Sequence, residues 1–177
     1  MVLADVILRR GQIDRHAVAE QYVRMASPRG EFLGAHRAAG RSFRLVVQDL
    51  ERGVSPEETG QDSAGIGAAV RVPPLAIYHH ARSGDGGAGS LDRDVIAASL
   101  MTHRDFRSLA GALAIAAACK RLLAAEDRSP SLLFRVAGDL IRSEDTLGEQ
   151  GLDKLVGYGR YRRNLSNANR PGRSNPR

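Results

Sequence analysis

The chain has 177 residues, of which 42% are hydrophobic and 26% charged, enough for one domain with a real core. Its single cysteine, Cys119, excludes an intramolecular disulfide, and its longest uncharged apolar run, Leu109 to Cys119, is 11 residues where a membrane span needs about 20. The net charge is +6, but six arginines and no acid fall between Tyr158 and Arg177, so the body is close to neutral and the high pI belongs to the tail.

Val2 to Arg10 reads as a helix already under way at the start of the chain, stopped by Gly11. Asp5, Arg9 and Arg10 interrupt the apolar opening and no cleavage pattern follows, so no secretory signal is read there. With one thiol, a reducing, cytoplasmic setting is expected. Asp14 is placed to cap the next helix, whose stripe is Val18, Tyr22 and Met25 and whose end is Ser27-Pro28. Gly34 to Leu50 is helical in period, with an interruption at Gly40 and a stop at Gly53. Ser55-Pro56-Glu57-Glu58 predicts a helix start, with Ser as the cap, Pro at the first position and Glu three residues after the cap. Capping and compensation of the helix dipole therefore account for Glu57 and Glu58 better than a catalytic carboxylate pair does.

Gln61 to Gly67 is a loop of small residues. Ala68 to His80 is helical, kinked or restarted at Pro73-Pro74. Ser83 to Ser90, with glycine at 84, 86, 87 and 89, predicts a flexible surface loop. Leu91 to Met101 predicts a modest helix. Asp105 can cap a long one with Phe106, Leu109, Ala110, Leu113, Ala114 and Ala117 on one face. Residues 109–119 are apolar all round, which predicts a helix through the centre of the domain. Ser129-Pro130-Ser131 opens another, with Leu133, Val136, Ala137, Leu140 and Ile141 inward, and Gly148 to Val156 adds a short turn. Beyond Gly157 the sequence is basic and core-free, and disorder is expected there. Neither an internal repeat nor an alternating strand pattern of useful length occurs. The fold class expected is all-α.

Chemistry-bearing residues are few. Cys119 lies in an apolar run, which favours a buried, inert thiol over a nucleophile. His79 and His80 point about 100° apart on a helix and cannot share one ion; they suit a helix C-terminus. Asp92 and Asp94 suit a helix first turn better than a metal site. The basic tail, with Tyr158 and Tyr161, has no base-reading fold beside it, so a solvated terminus is favoured over nucleic-acid binding. Two segments stand out. Gly65-Ile66-Gly67 allows the backbone to approach a ligand closely, since glycine has no Cβ. Thr102-His103-Arg104-Asp105 sets a titratable ring beside a helix N-terminus, where anions are favoured. Together they point to a pocket for something phosphorylated or sugar-like, although a capping or exposed role for His103 remains equally open.

Those residues also carry a family resemblance. Gly65-Ile66-Gly67-Ala68-Ala69-Val70-Arg71-Val72-Pro73-Pro74-Leu75 resembles the Gly-Asn-Gly-Ala/Ser-x-Met-Arg loop and Pro-containing helix of the ADP-ribosylglycohydrolases. Thr102-His103-Arg104-Asp105-Phe106 and the following Ala110 to Ala117 resemble that family's Thr-His segment and alanine-rich helix, and Arg29-Gly30 and Gly53 to Glu58 are also similar. The resemblance covers roughly residues 2 to 156. It implies an all-α domain that hydrolyses the glycosidic bond between ADP-ribose and an acceptor. It further implies substrate binding by Gly65, Gly67, Arg71, Thr102 and His103. In the family, paired Mg²⁺ ions are held by a Thr-Asp-Asp-Thr and a Gly-Asp-x-Asp-Thr segment; hard cations of this kind need several oxygen ligands held together.

This sequence contains neither segment. It has Ile66 where the family has Asn and Val70 where it has Met, and an Ile side chain offers none of an amide's hydrogen bonds. The resemblance then implies contact through the backbone of Gly65 and Gly67. The expectation is therefore a central helical part (1–157) of such a domain, truncated at both ends and followed by a basic tail (158–177). No catalytic residue is assigned, and no Mg²⁺ is expected to bind this chain. Three function classes stay open: an enzyme completed by ligands from elsewhere, a non-catalytic binder of ADP-ribose or ADP-ribosylated substrate, and a helical interaction module with a basic arm. No membrane partner is expected. Self-association is, since central helices without neighbours would expose apolar faces.

Overall fold

In the computed structural model, residues 2–27, 40–82 and 91–125 are described, together with 129, 131 and 135. Among them are six α-helices: α1 (Val2–Arg10), α2 (Arg15–Ala26), α3 (Arg41–Glu51), α4 (Pro73–Ala81), α5 (Leu91–Leu100) and α6 (Phe106–Ala124). A 3₁₀ turn, Ala69–Arg71, leads into α4. The described residues contain no strand, only one isolated parallel bridge between Gln61 and His103. The all-α expectation holds.

The local signals act much as the sequence predicts. Gly11 ends α1 at φ 67°, a left-handed conformation that costs glycine nothing. The Asp14 carboxylate accepts from the Ala17 amide at 3.0 Å, satisfying a donor that the first turn of α2 leaves unpaired. Pro73 and Pro74 fall in the first turn of α4, where a missing N–H does no harm, so they start a helix and kink nothing. Asp105 caps α6 through the Arg107 amide at 2.9 Å. His79 and His80 lie in the last turn of α4, and Asp92 and Asp94 in the first turn of α5, as expected. The sequence did not reveal that His79 Nε2 meets Asp94 Oδ2 at 2.7 Å, which ties α4 to α5.

One continuous core joins the helices. Val18, Leu75, Val95 and Leu109 are fully buried, with Ile96 and Met101 nearly so. Helix α6 packs on α4, α5 and the 3₁₀ turn, while α1 and α2 close the side beside α3 and α4. Truncating a leucine such as Leu109 to Ala in a core of this kind costs about 2–5 kcal/mol. No helix among the described residues is long and apolar enough to cross a membrane.

Three expectations need correction. Ser55 to Glu58 starts no helix; it is a single turn, closed by Glu58 N–H to the Ser55 carbonyl at 2.8 Å. The chain is diverted because buried Thr59 donates its hydroxyl to the Met101 carbonyl at 2.8 Å, and because Gly60 lies against the Leu100 carbonyl so closely that a Cβ would sit 2.1 Å from it. Glu57 then pairs with Arg15 at 3.1 Å and accepts from the Ser55 hydroxyl. The buried stripe of α6 is Ser108, Leu109, Ala112, Leu113 and Ala116, rotated from the predicted face, and Ile115 is 42% exposed, so the helix is not central throughout. Cys119 is half-buried where full burial was expected, and burial raises its thiol pKa, which disfavours the reactive thiolate.

Helix α3 begins at Arg41 with Gly40 as its N-cap. The predicted stretch from Gly34, the loop 83–90, the stripe 133–141, the turn 148–156 and the tail 158–177 fall outside the described residues.

Candidate functional site

All five residues singled out by the sequence meet at one place. Loop 59–68 is stitched to the corner between α5 and α6. Gln61 N–H donates to the Thr102 carbonyl at 3.1 Å, and Arg104 N–H donates to the Gln61 carbonyl at 2.8 Å. The Ser108 hydroxyl, on the first turn of α6, donates to the Gly65 carbonyl at 2.7 Å. Ser63 accepts from the Ser42 hydroxyl at 3.0 Å, which adds an anchor on α3.

His103 lies inside the turn so formed. Its residue is 6% exposed. A Cβ on Gly67 would lie 2.7 Å from the ring's Cε1 and 3.1 Å from Nε2, and one on Gly65 would lie 3.3 Å from Nε2. Real side chains do not tolerate the closest of these approaches, so glycine is required by the imidazole itself. Nε2 has no hydrogen-bond partner among the described residues, whereas Nδ1 faces the Thr102 hydroxyl at 2.8 Å and Arg71 Nη2 at 3.3 Å.

Arg71 is committed on three sides. Its Nε donates to the Gly67 carbonyl at 2.7 Å and its Nη1 to the Tyr22 hydroxyl at 2.7 Å, while Nη2 donates to the Thr102 hydroxyl. The guanidinium carbon also sits 5.8 Å from the centre of the Tyr22 ring, and Tyr22 is itself held edge-on by Phe43 at 5.2 Å. Burial first, and then the adjacent Arg71 charge, lower the His103 pKa to about 4, so the ring is neutral near pH 7.

Outside the turn, Ile66 is 77% and Val70 67% exposed, an apolar rim where a polar amide is absent. The amides of Ile66 and Gly67 make no backbone hydrogen bond among the described residues. Sequence reasoning missed Tyr22, Gln61 and Ser108. Tyr22 reads as one more apolar member of a helix stripe, and nothing in its spacing shows that its hydroxyl reaches a residue 49 positions away.

A cavity of about 180 Å³ lies between α1 and α2 and is lined by Asp5, Arg9, Glu20, Gln21 and Arg24 among others. None of the five residues lines it, and it is smaller than the roughly 300–1,000 Å³ typical of small-molecule sites.

A family profile described as ADP-ribosylglycohydrolase matches residues 1–175. The chain belongs to the ADP-ribosylglycohydrolase family. The match is longer than the resemblance read from the motifs, and it includes residues beyond 157. No curated protein and no solved structure matches the chain.

The described residues alone do not fit the Mg²⁺ that the family resemblance implies. No group of three or more His, Cys, Asp or Glu side chains among the described residues is arranged to hold a metal ion. Two of the acids around the turn have other work: Asp105 caps α6 and pairs with Arg107, and Asp49 accepts from Gln61 at 3.1 Å, while Asp62 in the loop itself is exposed. No chemical step is therefore derived through a metal here.

Proposed function

We propose that this chain is an ADP-ribose-recognising member of its family that binds without hydrolysing. The reading is carried by one observation: Gly65, Gly67, Arg71, Thr102 and His103 form a single pre-ordered unit. The ligand's pyrophosphate and ribose oxygens are acceptors. The unit offers the free amides of the turn and the imidazole edge at Nε2, while the exposed Ile66 and Val70 give an apolar ledge suited to an adenine face. Arg71 and Thr102 are spent on protein partners, so they hold the site in shape, and the nearly buried His103 offers only its Nε2 edge, beside the two glycines.

The donor set supports the non-hydrolysing half of this reading. The sequence contains no Asp-Asp and no Asp-x-Asp-Thr run, and two or more hard cations need such clustered carboxylates. The setting proposed is cytoplasmic. Calorimetric titration of the full chain with ADP-ribose tests the binding, and incubation with an ADP-ribosylated protein and Mg²⁺ tests the chemistry. Heat of binding and no released ADP-ribose are expected. Mg²⁺-dependent release would overturn the second half of the proposal.

A further inference from the structure

We infer that Arg71 is a positioning residue that fixes His103 as the tautomer protonated on Nε2. This rests on the reading of the glycine turn as a ligand site, but it concerns the proton and not the ligand. Nδ1 has two polar neighbours. The Thr102 hydroxyl, 2.8 Å away, can either donate to Nδ1 or accept from it, since its own proton has an alternative acceptor in the Ser99 carbonyl at 3.3 Å. Thr102 alone therefore leaves both tautomers open. Arg71 Nη2, 3.3 Å from Nδ1, can only donate. A proton on Nδ1 would face an N–H and a positive charge, whereas a lone pair there is welcomed by both neighbours. The ring's proton is thereby assigned to Nε2, the edge turned toward Gly65 and Gly67.

The consequence is directional. Nε2 becomes a hydrogen-bond donor, which suits a phosphate or ribose oxygen and rejects a donor group at the same spot. Arg71 is itself held in register by Tyr22 and Gly67, so α2, the turn and the α5–α6 corner together set the orientation of one proton. A partner that fixes which ring nitrogen is protonated is the usual means by which proteins orient a histidine.

The test is nuclear magnetic resonance of the full chain labelled with ¹⁵N at histidine, at neutral pH, where long-range ring couplings report the tautomer. In the wild type, His103 is expected protonated on Nε2. Arg71→Met should lose that fixed state, and Arg71→Lys, which keeps a cationic donor, should restore it. Thr102→Val removes the ambiguous partner and should leave the Nε2 proton in place; it decides the matter if Arg71→Met does not fold. A wild-type ring protonated on Nδ1, an unchanged ring in Arg71→Met, or a switch in Thr102→Val would each overturn the inference. Titration with ADP-ribose should show about tenfold weaker binding for Arg71→Met, and a change within about threefold for Arg71→Lys. If the wild type binds no ADP-ribose, the ligand reading fails while the tautomer result still stands.

Discussion

Arg71 and Arg9 each point Nε at an oxygen close by, the Gly67 carbonyl at 2.7 Å and Asp5 Oδ1 at 2.8 Å. Their surroundings differ. Arg71 is wedged among neutral acceptors from α2, the glycine turn and the α5–α6 corner, of which Tyr22 is held in turn by Phe43 and the Thr102 hydroxyl by the Ser99 carbonyl. Arg9 lies on the surface of α1, its side chain 70% exposed, and joins a carboxylate one turn away that also takes a bond from Gln21. The pair with the opposite charges is the weaker one. Water and salt screen it, and two mobile side chains must be ordered to keep it. Shape is set where an arginine is surrounded by fixed dipoles.

Substitutions in the two regions should differ in cost accordingly. The largest loss is expected at the glycines of the site. Gly60→Ala sets a methyl 2.1 Å from the Leu100 carbonyl, which belongs to helix backbone and cannot yield, and should cost about 3 kcal/mol in denaturant unfolding. Gly67→Ala drives a Cβ to 2.7 Å from the His103 ring and should cost about 2 kcal/mol, with loss of ADP-ribose binding.

Next comes acid. The folded His103 pKa is about 4 against an ordinary 6.5. Above pH 6.5 neither state holds the proton. Between 6.5 and about 4 only the unfolded chain does, so stability falls as the pH drops through that window and levels off below it. Unfolding midpoints measured across it should slope less steeply in His103→Asn. An equal slope would show that His103 is not the group being titrated.

The smallest effect is predicted in the other region. Asp5→Asn should change stability by about 0.5 kcal/mol or less, and still less in high salt. A loss as large as that at Gly67 would erase the distinction between the two arginines.

How much of this was legible in the chain depends on how local each signal is. Gly11, Asp14, Pro73 and Asp105 act on their nearest neighbours, and the helix ends they predict are where they stand. That Gly65, Gly67, Thr102 and His103 belong together was suggested by short motifs, the glycine spacing and a Thr-His pair before a capped helix, while Arg71 entered only through the family resemblance. What was not readable depended on distant partners. Ser55 to Glu58 has every local mark of a helix start, yet Thr59 and Gly60 bind the α5–α6 corner and overrule it. The inner face of α6 could not be chosen from a stretch apolar on all sides; Ser108, a polar residue reaching the Gly65 carbonyl, helps fix the rotation. The roles of Arg71 and Tyr22 likewise exist only once α2 lies against the turn.

Isothermal titration of ADP-ribose into the full chain, with and without Mg²⁺, bears most directly on the account. A saturable heat that is the same in both buffers, and is lost in Gly67→Ala while the helical spectrum is kept, is the predicted result. No heat in either buffer, or heat that depends on Mg²⁺, would contradict it.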